Sequence, residues 1–239
     1  MFKNFKFKNV KVIDHSKTYK NISIKNIPHI ARLSFQKKLL KKIASPDKNY
    51  ADFGCSNGYI TDIVSKIIKA SNTYGFDHSK NINIAQTKYP NYKFKFLDLN
   101  QPHNFEFNFD IITCFEVLEH VGNIENALNN LINSIKNKGT ILLSVPIEIG
   151  LIGLIKYLIK RLLFRYKFNL KGSEIKYIYA LLTRKDISKF REEKSHYGSH
   201  FGFDYRVVET LLKSKNIEFS QFTNFTTRYF IIKKNNSTN

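Results

Sequence analysis

The sequence predicts an α/β protein with a mostly parallel sheet of seven strands and an antiparallel last strand. Short apolar runs alternate with amphipathic stretches from Tyr50 to Val145, which is typical of βαβ units that pack helices on a parallel sheet. Near the C-terminus, Asp204 can cap a helix, and strand-like runs follow at 217–224 and 227–233. Since no helix separates these two runs, they indicate an antiparallel pair at a sheet edge.

The alternation of apolar and amphipathic segments predicts five strands and two helices in the central part of the chain. The strands are predicted at 49–53, 73–77, 93–98, 109–115 and 139–145. Apolar residues at positions 60, 63, 64, 67 and 68 lie on one stripe of a helix. A second helix follows Asn123, whose side chain is suited to cap it. Both helices are expected to cover the sheet.

The length of the chain limits it to one main domain with additions. Its 239 residues correspond to one large domain. Residues 1–45 are predicted to form an N-terminal helical extension, with a basic amphipathic helix over 28–43. The main domain is predicted over 46–235 with an insertion at 147–195, and residues 236–239 are expected to be a disordered tail.

Composition excludes several classes of protein. A hydrophobic fraction of 42% excludes a disordered chain. Two cysteines, Cys55 and Cys114, are too few for a disulfide framework or a structural zinc site, which favours a reducing compartment. The first residues lack an apolar signal segment, and Pro146 interrupts the longest apolar stretch, so we expect a cytoplasmic protein without a transmembrane helix. Lysine, which has AT-rich codons, dominates the net charge of +20, and this charge alone does not indicate a nucleic-acid partner.

A turn of small residues, Asp52 to Gly58, links the first predicted strand to the first helix. Glycine in such a turn lets backbone N–H groups and the helix N-terminus come close to a ligand. The second strand ends at Asp77, and an acid in this position typically accepts the hydroxyls of a ribose. Gly58 follows Gly54 by four positions rather than five, which argues against a dinucleotide. The sequence therefore predicts a nucleoside site.

This turn resembles motif I of the class I S-adenosylmethionine-dependent methyltransferases, and segments 109–121 and 139–146 resemble the family's fourth and fifth strands. The resemblance implies their Rossmann-like fold and S-adenosylmethionine as cofactor. Ser56 replaces the usual middle glycine, and we expect it to have an ordinary negative φ. Cys55 is expected to be a small packing residue rather than a nucleophile. By resemblance, Asp77 binds the ribose, and Asp98 and Leu99 contact the adenine. The implied cofactor-binding residues are Asp52, Gly54, Cys55, Ser56, Gly58, Asp77, His78, Asp98, Leu99 and Phe115.

Glu116, Glu119 and His120 form an ExxEH segment after the fourth strand. If the segment turns helically, these side chains share a face and can bind a hard divalent cation. This arrangement resembles that of the small-RNA 2′-O-methyltransferases, in which a downstream histidine completes the metal site. His196 or His200 could take that place here. Many members of the wider family carry the same residues without a metal. In those proteins the first Glu faces the cofactor and the Glu-His pair orders the loop, so both alternatives stay open.

The candidate catalytic residues are His120, His200 and Glu116. Segment 196–204 resembles the family's His-containing loop at the rim of the acceptor pocket. A histidine there could deprotonate an acceptor hydroxyl during methyl transfer. Alternatively, these residues pack the loop or cap the following helix, and positioning of the reactants accounts for much of the rate.

The insertion contains a predicted helix over 149–165 with two different faces. Its apolar arc consists of residues 151, 152, 155, 158, 159, 162 and 163, and its cationic arc of Lys156, Lys160, Arg161 and Arg165. Such a helix could lie on an anionic membrane surface or form a lid packed over the acceptor pocket. Ubiquinone-biosynthesis O-methyltransferases resemble this chain in the ExxEH segment and in a membrane-touching insertion, and surface-polysaccharide methyltransferases are similar. Both resemblances imply a lipid-linked acceptor.

We therefore predict a methyltransferase that methylates an oxygen of a small-molecule, glycan or lipid-linked acceptor. It is expected in the cytoplasm, at the inner membrane surface if the helix over 149–165 binds lipid. One alternative is an RNA 2′-O-methyltransferase with a metal at the ExxEH segment. Another is a non-catalytic cofactor-binding protein that acts as a membrane or partner adaptor through 149–165.

Overall fold

The computed structural model describes residues 15–20, 22–23, 26–163 and 165–234. Residues 1–14 of the predicted extension and the predicted tail at 236–239 lie outside these residues. The strands are β1 (Asn49–Phe53), β2 (Asn72–Asp77), β3 (Lys93–Phe96), β4 (Phe109–Phe115), β5 (Ile135–Pro146), β6 (Phe219–Asn224) and β7 (Thr227–Lys233). They form one seven-stranded sheet in the order β3-β2-β1-β4-β5-β7-β6.

The pairing of the strands confirms the predicted fold class. Strands β1 to β5 pair in parallel, whereas β7 pairs antiparallel with both β5 and β6. The order reverses direction at β1 and β4, so the carboxyl ends of these two strands flank a crevice of the kind in which open α/β sheets bind ligands.

Helices cover both faces of the sheet. They are α1 (His15–Lys20), α2 (Ile27–Ile43), α3 (Tyr59–Ile68), α4 (Asn81–Lys88), α5 (Ile124–Ser134), α6 (Gly150–Leu162), α7 (Glu174–Leu182) and α8 (Arg206–Ser214). Asn123 caps α5 as predicted, because its side chain accepts the Asn126 N–H at 2.9 Å. Asp204 accepts the Arg206 N–H at the start of α8. In the described part of the chain, no helix combines the length and the apolar character needed to span a membrane.

Several boundaries differ from the prediction, and three of these differences bear on the site or the insertion. Strand β3 ends at Phe96, so Asp98 lies in the following turn, where it accepts hydrogen bonds from Asn100. Strand β5 begins at Ile135, directly after α5, because the chain turns into an extended conformation there without a connecting loop. Helix α6 ends at Leu162 and does not continue to Arg165.

Helix α6 presents its apolar arc to the outside. Leu151 and Leu162 are 67% and 70% exposed, whereas Gly153 and Tyr157 are buried against the rest of the insertion. A Cβ atom at Gly153 would lie 2.2 Å from the main-chain oxygen of Glu148, which explains why the smallest residue stands at this close approach. Most large side chains of the arc are therefore exposed, whereas Ile152 packs against the core.

Candidate active site

A cavity of ≈ 530 Å³ lies at the carboxyl ends of β1, β2 and β4. Four of its walls are the turn after β1, the residues after β2 and β3, the ExxEH segment after β4, and the loop before α8, and a further wall comes from the N-terminal helices. Every residue predicted to bind the cofactor lines it except Gly58, which ends the turn and caps α3. No residue of α6 lines this cavity, so the exposed apolar arc is not packed over it as a lid.

The turn after β1 is held in a left-handed conformation at three positions. Gly54, Ser56 and Gly58 have φ values of 87°, 47° and 75°. The expectation of an ordinary φ at Ser56 is therefore wrong. The reason is a hydrogen bond from the Ser56 N–H to Oδ2 of Asp77 at 2.8 Å, together with one from Asn81 Nδ2 to the Ser56 hydroxyl at 3.0 Å. These contacts offset the strain of a positive φ in a residue with a side chain.

Asp52 anchors the start of this turn. Its two carboxylate oxygens accept hydrogen bonds from the hydroxyls of Thr61 at 2.6 Å and Thr113 at 2.8 Å. Burial raises the pKa of Asp52 to about 6, although both hydroxyl contacts lower it. Burial also raises the pKa of the neighbouring Cys55 thiol well above its ordinary value, which fits the expected role of Cys55 as a packing residue.

The end of β2 presents acceptors and a donor to the cavity. Oδ1 of Asp77 accepts the Ser79 N–H at 2.7 Å, and each carboxylate oxygen keeps a lone pair for another donor. The buried Ser79 hydroxyl has no hydrogen-bond partner among the described residues. His78 stacks on His196 with ring centroids 4.3 Å apart. The pair joins the β2 end of the cavity to the loop before α8.

Asp98 lies beside this histidine pair, next to the buried Leu99. Burial raises its pKa, but hydrogen bonds from Asn100 and the nearby His196 outweigh burial and lower the pKa below its ordinary value. Asn100 also donates to the main-chain oxygen of Ser195 at 2.9 Å and accepts the Gly122 N–H at 2.8 Å. Asn100 therefore connects three segments of the site, a role that the sequence did not reveal.

Glu116 occupies a position apart from the rest of the ExxEH segment. Its φ is 55°, and residues 118–120 form a single 3₁₀ turn instead of continuing a helix from position 116. Its carboxylate accepts a hydrogen bond from Ser144 and lies 2.7 Å from Arg32 of α2. The helical turn that would place Glu116, Glu119 and His120 on one face is therefore absent, and Glu116 faces Arg32 instead.

His200 takes the place of Glu116 beside the other two groups. Ligand atoms of Glu119, His120 and His200 all lie within 4.8 Å of one another. Both carboxylate oxygens of the fully buried Glu119 lack a hydrogen-bond partner among the described residues, and burial raises the pKa of this side chain well above its ordinary value. His120 Nδ1 donates to the Tyr197 carbonyl at 2.7 Å, which leaves the lone pair on Nε2. Burial and the neighbouring His200 lower the pKa of His120 to about 4.

Glu148 is a functional candidate that the sequence prediction missed. Its Oε1 lies 3.7 Å from Nδ1 of His200, and Lys156 of α6 forms an ion pair with the same oxygen. Burial alone would raise the pKa of Glu148, but His200 and Lys156 outweigh burial and lower that pKa to about 2. Glu148 is the only charged residue between positions 139 and 155, and this isolated acid was the available signal.

The N-terminal helices form another wall that the sequence did not predict. Tyr19, His29, Arg32 and Gln36 line the cavity, and the ring of Tyr19 stacks on that of Tyr59 at the start of α3. Helix α2 packs on α3 and places Phe35 against Tyr229 of β7. The extension is therefore part of the site.

Comparison with known proteins identifies relatives. Residues 26–168 match the family model of a methyltransferase domain. Over 122 residues the chain is 32% identical to a putative methyltransferase of Invertebrate iridescent virus 6, a match that covers 50% of this chain and 45% of the viral protein. The matched segment thus spans less than half of that relative.

Solved structures share the fold. Magnesium protoporphyrin IX methyltransferase from Synechocystis PCC 6803, with bound SAH, has a TM-score of 0.59 at 14% identity, and 92% of each chain is covered. An S-adenosylmethionine-dependent methyltransferase from Clostridium acetobutylicum ATCC 824 has a TM-score of 0.57 at 14% identity, and 93% of each chain is covered.

Proposed function

The chain belongs to the methyltransferase domain family, and we propose that it transfers the methyl group of S-adenosylmethionine to an oxygen of a small-molecule, glycan or lipid-linked acceptor. One observation carries this proposal. The Gly-containing turn, Asp77 and Asp98 line a single cavity together with Glu116 and the three histidines His120, His196 and His200. Its volume of ≈ 530 Å³ lies within the range of about 300–1,000 Å³ that is usual for small-molecule sites.

The side of the cavity next to β1, β2 and β3 fits the cofactor. We assign the ribose hydroxyls to Asp77 and the adenine to Asp98 and Leu99, with His78 and Phe115 beside them. The buried Ser79 hydroxyl, which has no partner among the described residues, supports a polar ligand at this point. Main-chain N–H groups of the turn after β1 supply further donors at the N-terminus of α3.

The opposite side of the cavity is assigned to the acceptor. Bound S-adenosylmethionine supplies a methyl group on a positively charged sulfur. We assign the role of base to His200: its Nε2 takes the proton of the acceptor hydroxyl while the oxygen–methyl bond forms and the sulfur–methyl bond breaks. Glu148, kept ionised by Lys156, faces Nδ1 and stabilises the imidazolium that results. His120 is the weaker candidate, because its Nδ1 meets a carbonyl and its pKa is about 4.

Calorimetric titration with S-adenosylmethionine and S-adenosylhomocysteine tests the cofactor site. We expect saturable binding by the wild type and its loss in Asp77→Ala. Asp62→Ala is the matched control, since Asp62 lies outside the cavity and pairs with Lys66 on the surface. Absence of binding by the folded wild type would remove the proposal. A positive result justifies a screen for acceptors in which His200→Gln abolishes transfer without changing cofactor affinity.

An anionic lipid surface is the proposed partner of the insertion. Helices α6 and α7 pack together and expose neighbouring apolar side chains. These side chains are Leu151, Ile155, Leu158, Ile159, Leu162, Leu163, Ile175, Tyr179 and Leu182. Residues 149–191 also contain eleven Lys and Arg but only two acids. Aliphatic side chains bordered by cations suit the boundary between acyl chains and anionic head groups. The same charge opposes a second copy of the chain on this surface.

Vesicle flotation tests the lipid partner. We expect the wild type to float with vesicles of phosphatidylcholine and phosphatidylglycerol but not with phosphatidylcholine alone. The double variant Leu158→Gln, Leu162→Gln should stay at the bottom of the gradient. Val207→Gln, which changes an exposed apolar residue on α8, is the control and should float. Sedimentation of the wild type as a dimer without flotation would assign the surface to a second copy.

A second candidate function is metal-assisted 2′-O-methylation of RNA. The observation that favours it is the group of Glu119, His120 and His200, because Glu119 is buried with both oxygens unpartnered among the described residues. These donors suit a divalent cation, which would polarise the acceptor hydroxyl. The two functions differ in His200, whose Nε2 cannot bind a cation and accept a proton at once. Thermal unfolding with Mn²⁺ separates them: a saturable rise in Tm that Glu119→Gln abolishes and Glu125→Gln keeps would favour the metal.

A further inference from the structure

A second cavity of ≈ 320 Å³ lies beside the acceptor side of the cofactor cavity, and His200 lines both. Its other walls are Lys160 near the end of α6, Tyr166 and Phe168 in the segment after α6, and residues 198–201. Since one imidazole borders both spaces, an acceptor whose hydroxyl reaches His200 can extend its remaining part into the second cavity. The cofactor-binding residues leave this space free.

Aromatic rings give the second cavity a firm wall. Tyr166 and Phe168 have ring centroids 4.8 Å apart, and Phe168 lies 5.0 Å from the buried Phe201. Phe201 in turn contacts Tyr177 of α7 at 4.6 Å. Because the rings support one another, they form a fixed apolar surface against which a flat or aliphatic group can pack.

The charge of the second cavity is positive. Lys160 is half-buried, and its ammonium group makes neither a hydrogen bond nor an ion pair with any of the described residues. Its charge helps to lower the pKa of Glu148. A shallow pocket of ≈ 120 Å³ adjoins it and adds Lys167, Arg191 and Lys194. The one acid in that pocket, Glu192, already pairs with Lys194 at 3.0 Å. An ammonium group in this position favours an anionic ligand.

We infer that the second cavity binds a phosphate group of the acceptor, with Lys160 as its counter-ion and Phe168 against the adjoining apolar part. This inference rests on the proposed methyl transfer, since it assigns the cavity to the same acceptor. It narrows the acceptor to a phosphorylated molecule with an apolar portion. Such a phosphate could belong to a soluble ester or to the head group of a lipid-linked substrate.

Calorimetry with phenyl phosphate tests this assignment. At constant ionic strength, we expect the wild type to bind phenyl phosphate more tightly than inorganic phosphate, because only the former has a ring to pack on Phe168. Lys160→Gln should weaken phenyl phosphate binding by about tenfold or more, as expected for the loss of a charge-assisted contact. Lys176→Gln, on the exposed face of α7, is the matched control and should bind like the wild type. Equal binding by Lys160→Gln and the wild type, or none by either, would overturn the inference.

Two further titrations separate the source of the phosphate and the underlying function. The first titration uses dihexanoyl phosphatidic acid. If it binds more tightly than phenyl phosphate, and again through Lys160, the phosphate belongs to a lipid head group. If phenyl phosphate binds more tightly, the phosphate belongs to a soluble ester. S-adenosylmethionine is titrated into the same samples. Lys160→Gln should keep its cofactor affinity. Cofactor binding without phenyl phosphate binding overturns only the phosphate site, whereas phenyl phosphate binding without cofactor binding overturns the methyl transfer.

Discussion

Arg32 and Glu116 join the N-terminal extension to the sheet, with Nη1 of Arg32 2.7 Å from Oε2 of Glu116. Their side chains are 17% and 13% exposed, so the pair is largely shielded from water. Glu116 follows the end of β4, and Arg32 lies in α2, which lines the cavity. This ion pair adds to the packing of α2 on α3 and links the helix to the place where methyl transfer is proposed.

Arg32→Met is expected to lower the free energy of unfolding by about 3 kcal/mol, because it leaves a poorly solvated carboxylate without its partner. Adding Glu116→Gln should return part of this loss, since the unpaired charge is then removed. Urea unfolding of both single variants and the double variant gives the coupling energy.

Lys66→Met is the control for the Arg32 variant. Lys66 pairs with Asp62 on the surface, and the loss of such a solvent-exposed pair changes the free energy of unfolding little. A coupling energy between Arg32 and Glu116 as small as that of the surface pair would show that the contact does not hold α2 in place.

Ser56→Val is expected to destabilise the protein by about 2 kcal/mol and to weaken cofactor binding. A β-branched side chain is strained at the observed φ of 47°, and it also removes the hydroxyl that accepts from Asn81. Ser56→Gly is the matched control, because glycine relieves the strain while losing the same hydroxyl. Thermal unfolding and calorimetric titration of both variants measure the effect. Equal losses in the two variants would contradict the role of backbone strain.

The sequence predicted the features that depend on local patterns. Alternating apolar runs placed the strands, and the spacing of Gly54, Gly58 and Asp77 placed the turn and acid at adjacent strand ends. The course of a strand and the composition of a turn are largely set within a few residues, so they are readable without the fold.

The remaining features depend on contacts between distant segments. Arg32 meets Glu116, and Glu148 meets His200, only after the sheet has formed. The positive φ of Ser56 depends on a hydrogen bond from its main-chain N–H to Asp77. The identity of residue 56 gives no sign of this contact. The helical wheel of α6 was correct, but its exposure was not deducible, since a wheel shows which residues share a face and not what that face meets.

Asp52→Asn is expected to change how stability depends on pH. The pKa of Asp52 is about 6 in the folded protein, whereas an unperturbed Asp side chain has a pKa of 3.8. Between these two pH values the folded form therefore binds more protons than the unfolded form. The unfolding free energy of the wild type should therefore fall, relative to Asp52→Asn, as pH rises from about 4 to 6. The maximum difference is about 3 kcal/mol from the size of the shift. Urea unfolding at several pH values measures it.

The comparison with Asp52→Asn isolates the contribution of Asp52 to the pH dependence of stability from contributions of opposite sign by other groups. Glu148, with its lowered pKa of about 2, stabilises the fold as pH rises towards 4.5, but it is present in both proteins and cancels in the difference. Parallel pH profiles for the wild type and Asp52→Asn would mean that Asp52 titrates normally in the folded state.

Arg191→Lys is expected to loosen the loop that carries His200. Nη2 of Arg191 donates to the main-chain oxygens of Glu119 and Ser199 at 2.6 and 3.0 Å, and its guanidinium carbon lies 3.3 Å from the centroid of the Tyr197 ring. Lysine keeps the charge but lacks the planar group that spans both carbonyls and stacks on the ring. We expect a loss of about 2 kcal/mol in stability and faster amide hydrogen exchange over residues 195–201.

Arg184→Lys is the matched control for this loop, because the one side-chain hydrogen bond of Arg184 to the described residues is a 3.4 Å contact with the Tyr205 hydroxyl, outside residues 195–201. Hydrogen exchange measured by mass spectrometry should show wild-type protection of residues 195–201 in this variant. The Arg191 guanidinium itself lies outside the cofactor cavity, so any change in cofactor affinity would come through the loop that carries His196. Unchanged exchange in Arg191→Lys would mean that other contacts, such as those of Asn100 and His120 with this loop, are enough to hold it.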